Sequence, residues 1–305
     1  SLYMLHQYHM GGLILFDRNL ESAEQTKKLI ADLQAQAEQK VPLFIGVDEE
    51  GGDVVRGKNF LTSPPSQREI GQTGEVTKAE DSADKTAVAL KKLGFNVNFA
   101  PVADVDSDAR SFGPDGEQTA KFVQAASQGY EKNRMMYALK HFPGIGRGTV
   151  DSHQDISSIA ASKEELEKRD LLPFKAIIDE RQPEDYFILV SHLRYPAYDA
   201  ENPASLSKAI QTDLLRNELG YRGLIITDDT EMGALAKHYS FRELGVRAVT
   251  AGADLVMVCH EYEHETDVYL GLLDAVKDGT ISEDRINESV RRIVKAKLLH
   301  AKTEA

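Results

Sequence analysis

Met135-Met136-Tyr137-Ala138-Leu139-Lys140-His141 runs apolar and then breaks into Phe142-Pro143-Gly144-Ile145-Gly146-Arg147-Gly148-Thr149-Val150-Asp151-Ser152-His153-Gln154-Asp155. The first part reads as a buried strand ending in Lys-His. A Pro and three glycines between positions 143 and 148 then exclude any regular element. The loop delivers Asp151-Ser152-His153, and an Asp two residues from a His can fold back onto an imidazole nitrogen. That contact fixes the tautomer and tunes the basicity of the other nitrogen. A lone Asp-x-His would read as a solvated surface loop. Behind a strand that ends in Lys-His, it reads as a catalytic loop.

Similar apolar runs recur on both sides: Gly12–Phe16, Pro42–Asp48, Phe95–Pro101, Tyr186–His192, Gly223–Asp228 and Asp254–His260, besides Met136–His141. Most are almost continuously apolar, as parallel strands covered on both faces are. Helical patterns fill the intervals at Ala23–Gln39, Lys78–Leu93, Glu117–Glu131, Lys163–Glu180, Ser205–Leu219, Phe241–Ala251 and Glu265–Lys277, and Ser282 opens a last helix. Ser162 with Glu165 has capping-box spacing, and Leu93-Gly94 and Leu219-Gly220 stop helices just ahead of strands. Polar residues stand at the strand exits: Asp17, Asp48, Asp104, His141, His192, Asp228 and His260. The carboxyl face of a (β/α)8 barrel presents such a ring, whereas a doubly wound sheet gathers its ligands at one switch point. The expected fold is therefore α/β, a (β/α)8 TIM-type barrel in a single catalytic domain over residues 1–305.

Seven strands are readable, and a closed barrel takes eight. Ser1–Met10 reads as the tail of a helix, so the chain is expected to lack the first barrel strand at its N-terminus. The gap should lie between the strands ending at Phe16 and His260. Unpaired edges leave three outcomes: a homodimer through strand exchange, another segment shifted into the slot, or an open barrel. The incomplete barrel is the expectation.

The chain has 305 residues, 41% of them hydrophobic, enough for a large core, and a formal net charge of −13 without any basic block. Nucleic acid and anionic membrane are thereby excluded as natural partners. The single cysteine, Cys259, rules out an internal disulfide framework. No apolar run approaches the roughly 18 residues that span a bilayer. No signal peptide is visible, yet the chain starts at Ser1. The compartment thus stays open between cytoplasm and secretion, the cytoplasm being the first choice.

Gly223–Thr230 places Asp228 and Asp229 at the end of the most apolar strand. Consecutive strand side chains point to opposite faces, so one carboxylate faces the mouth and its neighbour is structural, capping the next turn. Val47–Gly52 sets Asp48 at another exit with Arg56 soon after, and Asp104–Asp115 carries Arg110. An Asp and several cations in one mouth suit a polyhydroxylated substrate.

KHFPG-x-G followed by DSH, together with VDEEGG, RSFG and ITDDTEMGA, resembles the β-N-acetylglucosaminidases of glycoside hydrolase family 3, in the same order along essentially the whole chain. The resemblance implies a (β/α)8 barrel with Asp228 as nucleophile and His153 as general acid/base paired with Asp151. It implies that Asp48, Arg56, Arg110, Lys140 and His141 hold sugar hydroxyls and the N-acetyl group. The implied reaction is retaining hydrolysis of terminal β-linked N-acetylglucosamine, from peptidoglycan fragments (muropeptides) or chitooligosaccharides, with no metal and no cofactor. Glu49 and Asp53 stand where the family pattern has Gln and Arg, and Ile145 where it has His.

Two other readings compete. His141, His192, Asp228 and His260 at strand exits would suit a metal-dependent amidohydrolase, although packing roles for His192 and His260 are the simpler reading. An incomplete barrel could also bind sugar without turning it over.

Overall fold

The computed structural model describes residues 2–37, 40–148 and 157–301. One sheet of seven parallel strands runs in the order β1 (Gly12–Ile14), β2 (Phe44–Val47), β3 (Val97–Asn98), β4 (Met136–Phe142), β5 (Tyr186–Val190), β8 (Leu224–Asp229) and β9 (Leu255–Met257). Between β5 and β8, β6 (Arg194–Tyr195) and β7 (Asp199–Pro203) form an antiparallel pair. All seven predicted strands are present; only β4 and β8 run one residue past their predicted ends.

Residue alternation curls this sheet around an apolar interior. Phe44, Val97 and Phe99, Met136 and Ala138, Phe187 and Leu189, and Leu224 and Ile226 form one buried cluster inside it. The intervening positions, Ile45 and Val47, Tyr137 and Leu139, Ile188 and Val190, and Ile225, belong to a second cluster shared with the helices outside. Those helices are α1 (Leu2–Tyr8), α2 (Ala23–Gln36), α3 (Gln67–Gln72), α4 (Thr77–Leu93), α5 (Gly116–Lys132), α6 (Lys163–Glu165), α7 (Leu172–Glu180), α8 (Gly233–Ala236), α9 (Phe241–Ala251), α10 (Tyr262–Lys277) and α11 (Glu283–Ala296).

In α4, Ala79, Ala83, Ala87 and Leu90 bury one helical face, and Gly94 (φ 100°) ends the helix in the left-handed region. Gly129 of α5 lets the two helices meet closely, because a Cβ there would stand 2.4 Å from the Glu80 carbonyl oxygen. The predicted Ser162–Glu165 capping box is formed. Two predicted helices are not regular: Leu166–Asp170 winds as a π-helix between α6 and α7, and the helix expected from Ser205 is a 3-10 turn, Ala204–Leu206, followed by a π-helix, Ala209–Glu218.

β1 and β9 are the edges of the sheet, and among the described residues no strand pairs with their outer sides. Both are half-buried, whereas every residue of β2, β4 and β5 is buried. A cavity of about 1040 Å³ lies at this gap, walled by Leu13, Leu15, Phe44, Phe99, Phe187 and Leu255 among others. This is the predicted place, and α1 is helical as predicted. No helix among the described residues is long and apolar enough to cross a membrane.

Candidate active site

The carboxyl ends of β2, β4 and β8 bring five predicted residues, Asp48, Arg56, Lys140, His141 and Asp228, into one mouth, and the loop after β3 adds Arg110. Lys140 is almost completely buried; its Nζ donates to Asp48 Oδ1 at 2.8 Å and lies 2.6 Å from Glu50 Oε1. Arg110 grips Glu50 with both prongs, Nε to Oε2 at 2.9 Å and Nη2 to Oε1 at 2.7 Å. Burial alone would raise the Glu50 carboxyl, but Lys140 and Arg110 outweigh it and hold the group at about 2. The same two acids keep Lys140 protonated against its own desolvation.

Adjacent Lys140 and His141 both serve the mouth because the register slips there: Lys140 faces Leu189 while Phe142 faces Val190. His141 Nδ1 pairs with Asp104 Oδ2 at 2.7 Å, leaving Nε2 beside Arg110 Nη2 at 3.5 Å. Asp104 is fully buried, and its Oδ1 also accepts the backbone N–H groups of His141 (3.0 Å) and Ile145 (2.9 Å). One carboxylate thus sets the imidazole and the first turn of the Gly-rich loop. Tyr195 donates to the Gly144 carbonyl at 2.8 Å and Arg147 Nε to Asp170 at 2.8 Å, fixing that turn further.

Asp228 is the penultimate residue of β8, and its Oδ1 accepts the Asp229 N–H at 2.8 Å. Burial opposes its ionisation, but His141, His192, that N–H and Lys140 together hold the carboxyl below its ordinary value. Asp229 faces elsewhere, as alternation predicts: it accepts the Glu231 N–H at 3.1 Å and pairs with His260 at 3.2 Å. Burial raises its carboxyl.

His192 donates from Nε2 to the Asp229 carbonyl at 2.8 Å and meets Ser205 Oγ through Nδ1 at 2.7 Å. With both nitrogens engaged, it is a packing residue, and the four-residue metal set is not assembled. Asp229, Glu231 and His260 do come within ligating distance of one another. Glu231, however, already accepts the N–H groups of Cys259, His260 and Glu261 and pairs with His264, so it ties two loops together.

His153 and Asp151 lie outside the described residues. Glu50 and Asp104 went unassigned in the sequence. Asp104 stood in the predicted ring of strand exits, and Glu50 in the quoted VDEEGG, but their partners lie 37 to 90 positions away in the chain.

Glu49 is buried and holds the loop bearing Arg56 by accepting the N–H groups of Arg56 (2.8 Å) and Gly57 (3.0 Å) on Oε2. Its Oε1 is buried with no hydrogen-bond partner among the described residues, and desolvation raises its carboxyl above the ordinary value. A folded-state pKa raised in this way favours folding at low pH, and the benefit is lost as pH rises through it. Glu49→Gln keeps an accepting oxygen and removes the charge. It should raise stability by about 1 kcal/mol at pH 7.5 and by less at pH 5 in urea unfolding; a loss at pH 7.5 would contradict this account.

The glycosyl hydrolase family 3 N-terminal domain model matches residues 2–296. The chain is 32% identical to a β-hexosaminidase A of Pseudoalteromonas piscicida, over 96% of this chain but 54% of that protein. It is 33% identical to a β-hexosaminidase of Nitrosomonas eutropha, over 86% of this chain and 77% of that protein. A structure of a glycoside hydrolase family 3 β-N-acetylglucosaminidase from Paenibacillus sp. FPU-7 superposes with a TM-score of 0.94 at 36% identity, over 98% of this chain and 58% of that one. The chain therefore spans little more than half the length of two of these proteins, and it belongs to glycosyl hydrolase family 3.

Proposed function

We propose that this chain is the catalytic domain of a retaining β-N-acetylhexosaminidase built on a (β/α)8-type barrel. It removes terminal β-linked N-acetylglucosamine from peptidoglycan fragments or chitooligosaccharides. The observation that carries this reading is Asp228, a carboxylate near the end of β8 held below its ordinary value by His141, His192 and Lys140, the last of which is joined to Asp48 and Glu50. Asp228 attacks the anomeric carbon as the glycosidic C–O bond breaks. His153, oriented by Asp151, gives its proton to the leaving oxygen. Water then displaces Asp228 while His153 takes the proton back.

Asp48 accepts from sugar hydroxyls, and Lys140, Arg110 and Arg56 donate to hydroxyl and acetamido oxygens. Their mutual ion pairs hold them in place before substrate arrives. The named β-hexosaminidase relatives support the same substrate class. Strand exchange into the gap between β1 and β9 would make the working form a homodimer, and the compartment is the cytoplasm or outside the cell.

A chromogenic β-N-acetylglucosaminide should be hydrolysed with a kcat/KM at least about 100-fold above the matching β-glucoside, since the missing acetamido group leaves buried donors unpaired. Equal rates would refute the sugar assignment. No turnover of either would favour the sugar-binding scaffold, and loss of activity in a chelator would revive the metal hydrolase.

A further inference from the structure

We propose that the cavity bounded by residues 57–65, α3 and α4 is an effector site for a primary ammonium carried on an apolar body, anchored by Glu49. Its effect on turnover rests on the retaining-glycosidase reading above. Three consecutive acids, Asp48-Glu49-Glu50, set the geometry. Asp48 and Glu50 both meet Lys140 in the mouth, at 2.8 Å and 2.6 Å. Side chains alternate past the end of β2, so Glu49 between them turns to the outer side of the sheet. There it lines a cavity of about 1010 Å³ with Phe60, Leu61, Pro64, Ile70 and Leu90. The volume is that of a small-molecule site, about 300–1,000 Å³. Its rim is exposed at Ser63, Lys78 and Asp81, and none of the six candidate residues of the mouth is among those lining it.

Charge selects the ligand. Glu49 is 2% exposed, its Oε2 is taken by the Arg56 and Gly57 N–H groups, and its Oε1 has no partner among the described residues. The nearby Arg56 turns its guanidinium toward Asp48 and the Phe16 ring. Of the other charged residues lining the cavity, Glu69 and Asp81 are acids, and Lys78 is already paired with Glu75 at 2.9 Å, which leaves Lys85. A desolvated carboxylate with one oxygen unused, set among apolar walls, is complementary to a charged N–H donor on an apolar body. A neutral or anionic ligand of the same shape leaves that charge uncompensated.

Glu49 also carries the coupling to the mouth. Its Oε2 holds the backbone of Arg56 and Gly57, and the Gly57 carbonyl accepts the N–H groups of Phe60 (3.0 Å) and Leu61 (2.8 Å). The cavity wall and the anchor of Arg56 are therefore one turn of chain. A ligand that fixes Glu49, Phe60 and Leu61 fixes Arg56 with them, and less ordering is left for the sugar to impose.

The chain contains no tryptophan, so indole fluorescence reports an added probe alone. The titration compares tryptamine, tryptophol and indole-3-propionate, one ring and one two-carbon arm ending in a cation, a neutral hydroxyl or an anion. Tryptamine should bind at least about tenfold more tightly than either of the others. It should lower KM for an aryl β-N-acetylglucosaminide about threefold and leave kcat almost unchanged. Glu49→Gln should bring tryptamine to the affinity of tryptophol. Ala89→Leu, which fills the cavity from α4, should weaken both. Free N-acetylglucosamine should displace neither. Equal affinities for the three probes, or tryptamine binding unaffected by Glu49→Gln, would overturn the site. Displacement by N-acetylglucosamine would put the probe in the mouth and overturn it as well. Binding with KM unchanged or raised would overturn the effector role. No turnover of the aryl substrate would fell the glycosidase reading, while the titration would still decide the site.

Discussion

Replacing Asp228 by Gly should lower kcat for an aryl β-N-acetylglucosaminide by about 10⁴-fold or more, equivalent to about 5.5 kcal/mol of transition-state stabilisation. Azide should then restore turnover and yield the α-glycosyl azide, because a small anion enters from the face the carboxylate vacated. In the intact chain a fluorinated N-acetylglucosaminyl donor should leave a covalent adduct on the peptide containing Asp228. Asp229 supplies the internal control. It is spent on the Glu231 N–H and His260, so Asp229→Asn should lower thermal stability while changing kcat less than about tenfold. If Asp228→Gly kept a tenth of the activity, or if Asp229 carried the adduct, the assignment of the nucleophile would be wrong. Absence of any adduct during turnover would instead point to the substrate's acetamido oxygen as nucleophile.

The two adjacent carboxylates illustrate what a sequence discloses. Strand alternation said only that one of Asp228 and Asp229 faces the mouth, and the family resemblance pointed to Asp228; in the structure Asp228 lies near His141, His192 and Lys140, while Asp229 accepts the Glu231 N–H. The seven strands were legible because each is a short, mostly apolar run with a polar residue at its end or soon after it. The gap was legible because Ser1–Met10 has no strand pattern. The Gly- and Pro-bearing stretch after Asp48 holds α3, a helix the sequence reading did not place. Its capping box, Ser66 with Glu69, has the same spacing as the recognised Ser162 with Glu165.

The π-helical turns at 166–170 and 209–218 had no signature, since their hydrogen-bond spacing is set by packing rather than by residue type. The roles of Glu50 and Asp104 were hidden for a related reason. An acid becomes a buried clamp only when a distant strand delivers its cation, and Lys140 reaches Glu50 only through the order of β2, β3 and β4. Departures from the family pattern become interpretable in the same way. Glu49 in place of Gln appears in the structure as a buried oxygen without a donor among the described residues.

Lys297→Met should stabilise the chain at neutral pH by about 2–3 kcal/mol, and the gain should vanish in alkali. Past α11 the chain winds on as a π-helix, Lys297–Ala301, and carries Lys297 inward beside Ala296, which closes one end of the sheet's interior. The Lys297 side chain is 2% exposed, its Nζ lies 5.1 Å from the Phe44 ring centroid, and no carboxylate among the described residues pairs with it. Desolvation lowers the ammonium to about 8. A folded-state pKa below the unfolded one means the unfolded chain binds the proton more tightly. The amine is therefore tolerated above the unfolded value of about 10.4. Stability falls as pH drops through the folded value of about 8, and the full cost applies at pH 7. At about 1.36 kcal/mol per unit the cost is about 3 kcal/mol, reduced by about 0.5–1 kcal/mol for the ring contact with Phe44. Met fills the same volume with no charge to desolvate. Urea unfolding of the two chains at pH 7 and pH 10.5 should show a gap that closes to within about 0.5 kcal/mol at the higher pH. A gain of equal size at both pH values would mean that apolar burial, and not the proton, separates them, and a loss at pH 7 would show that Lys297 has a partner in solution.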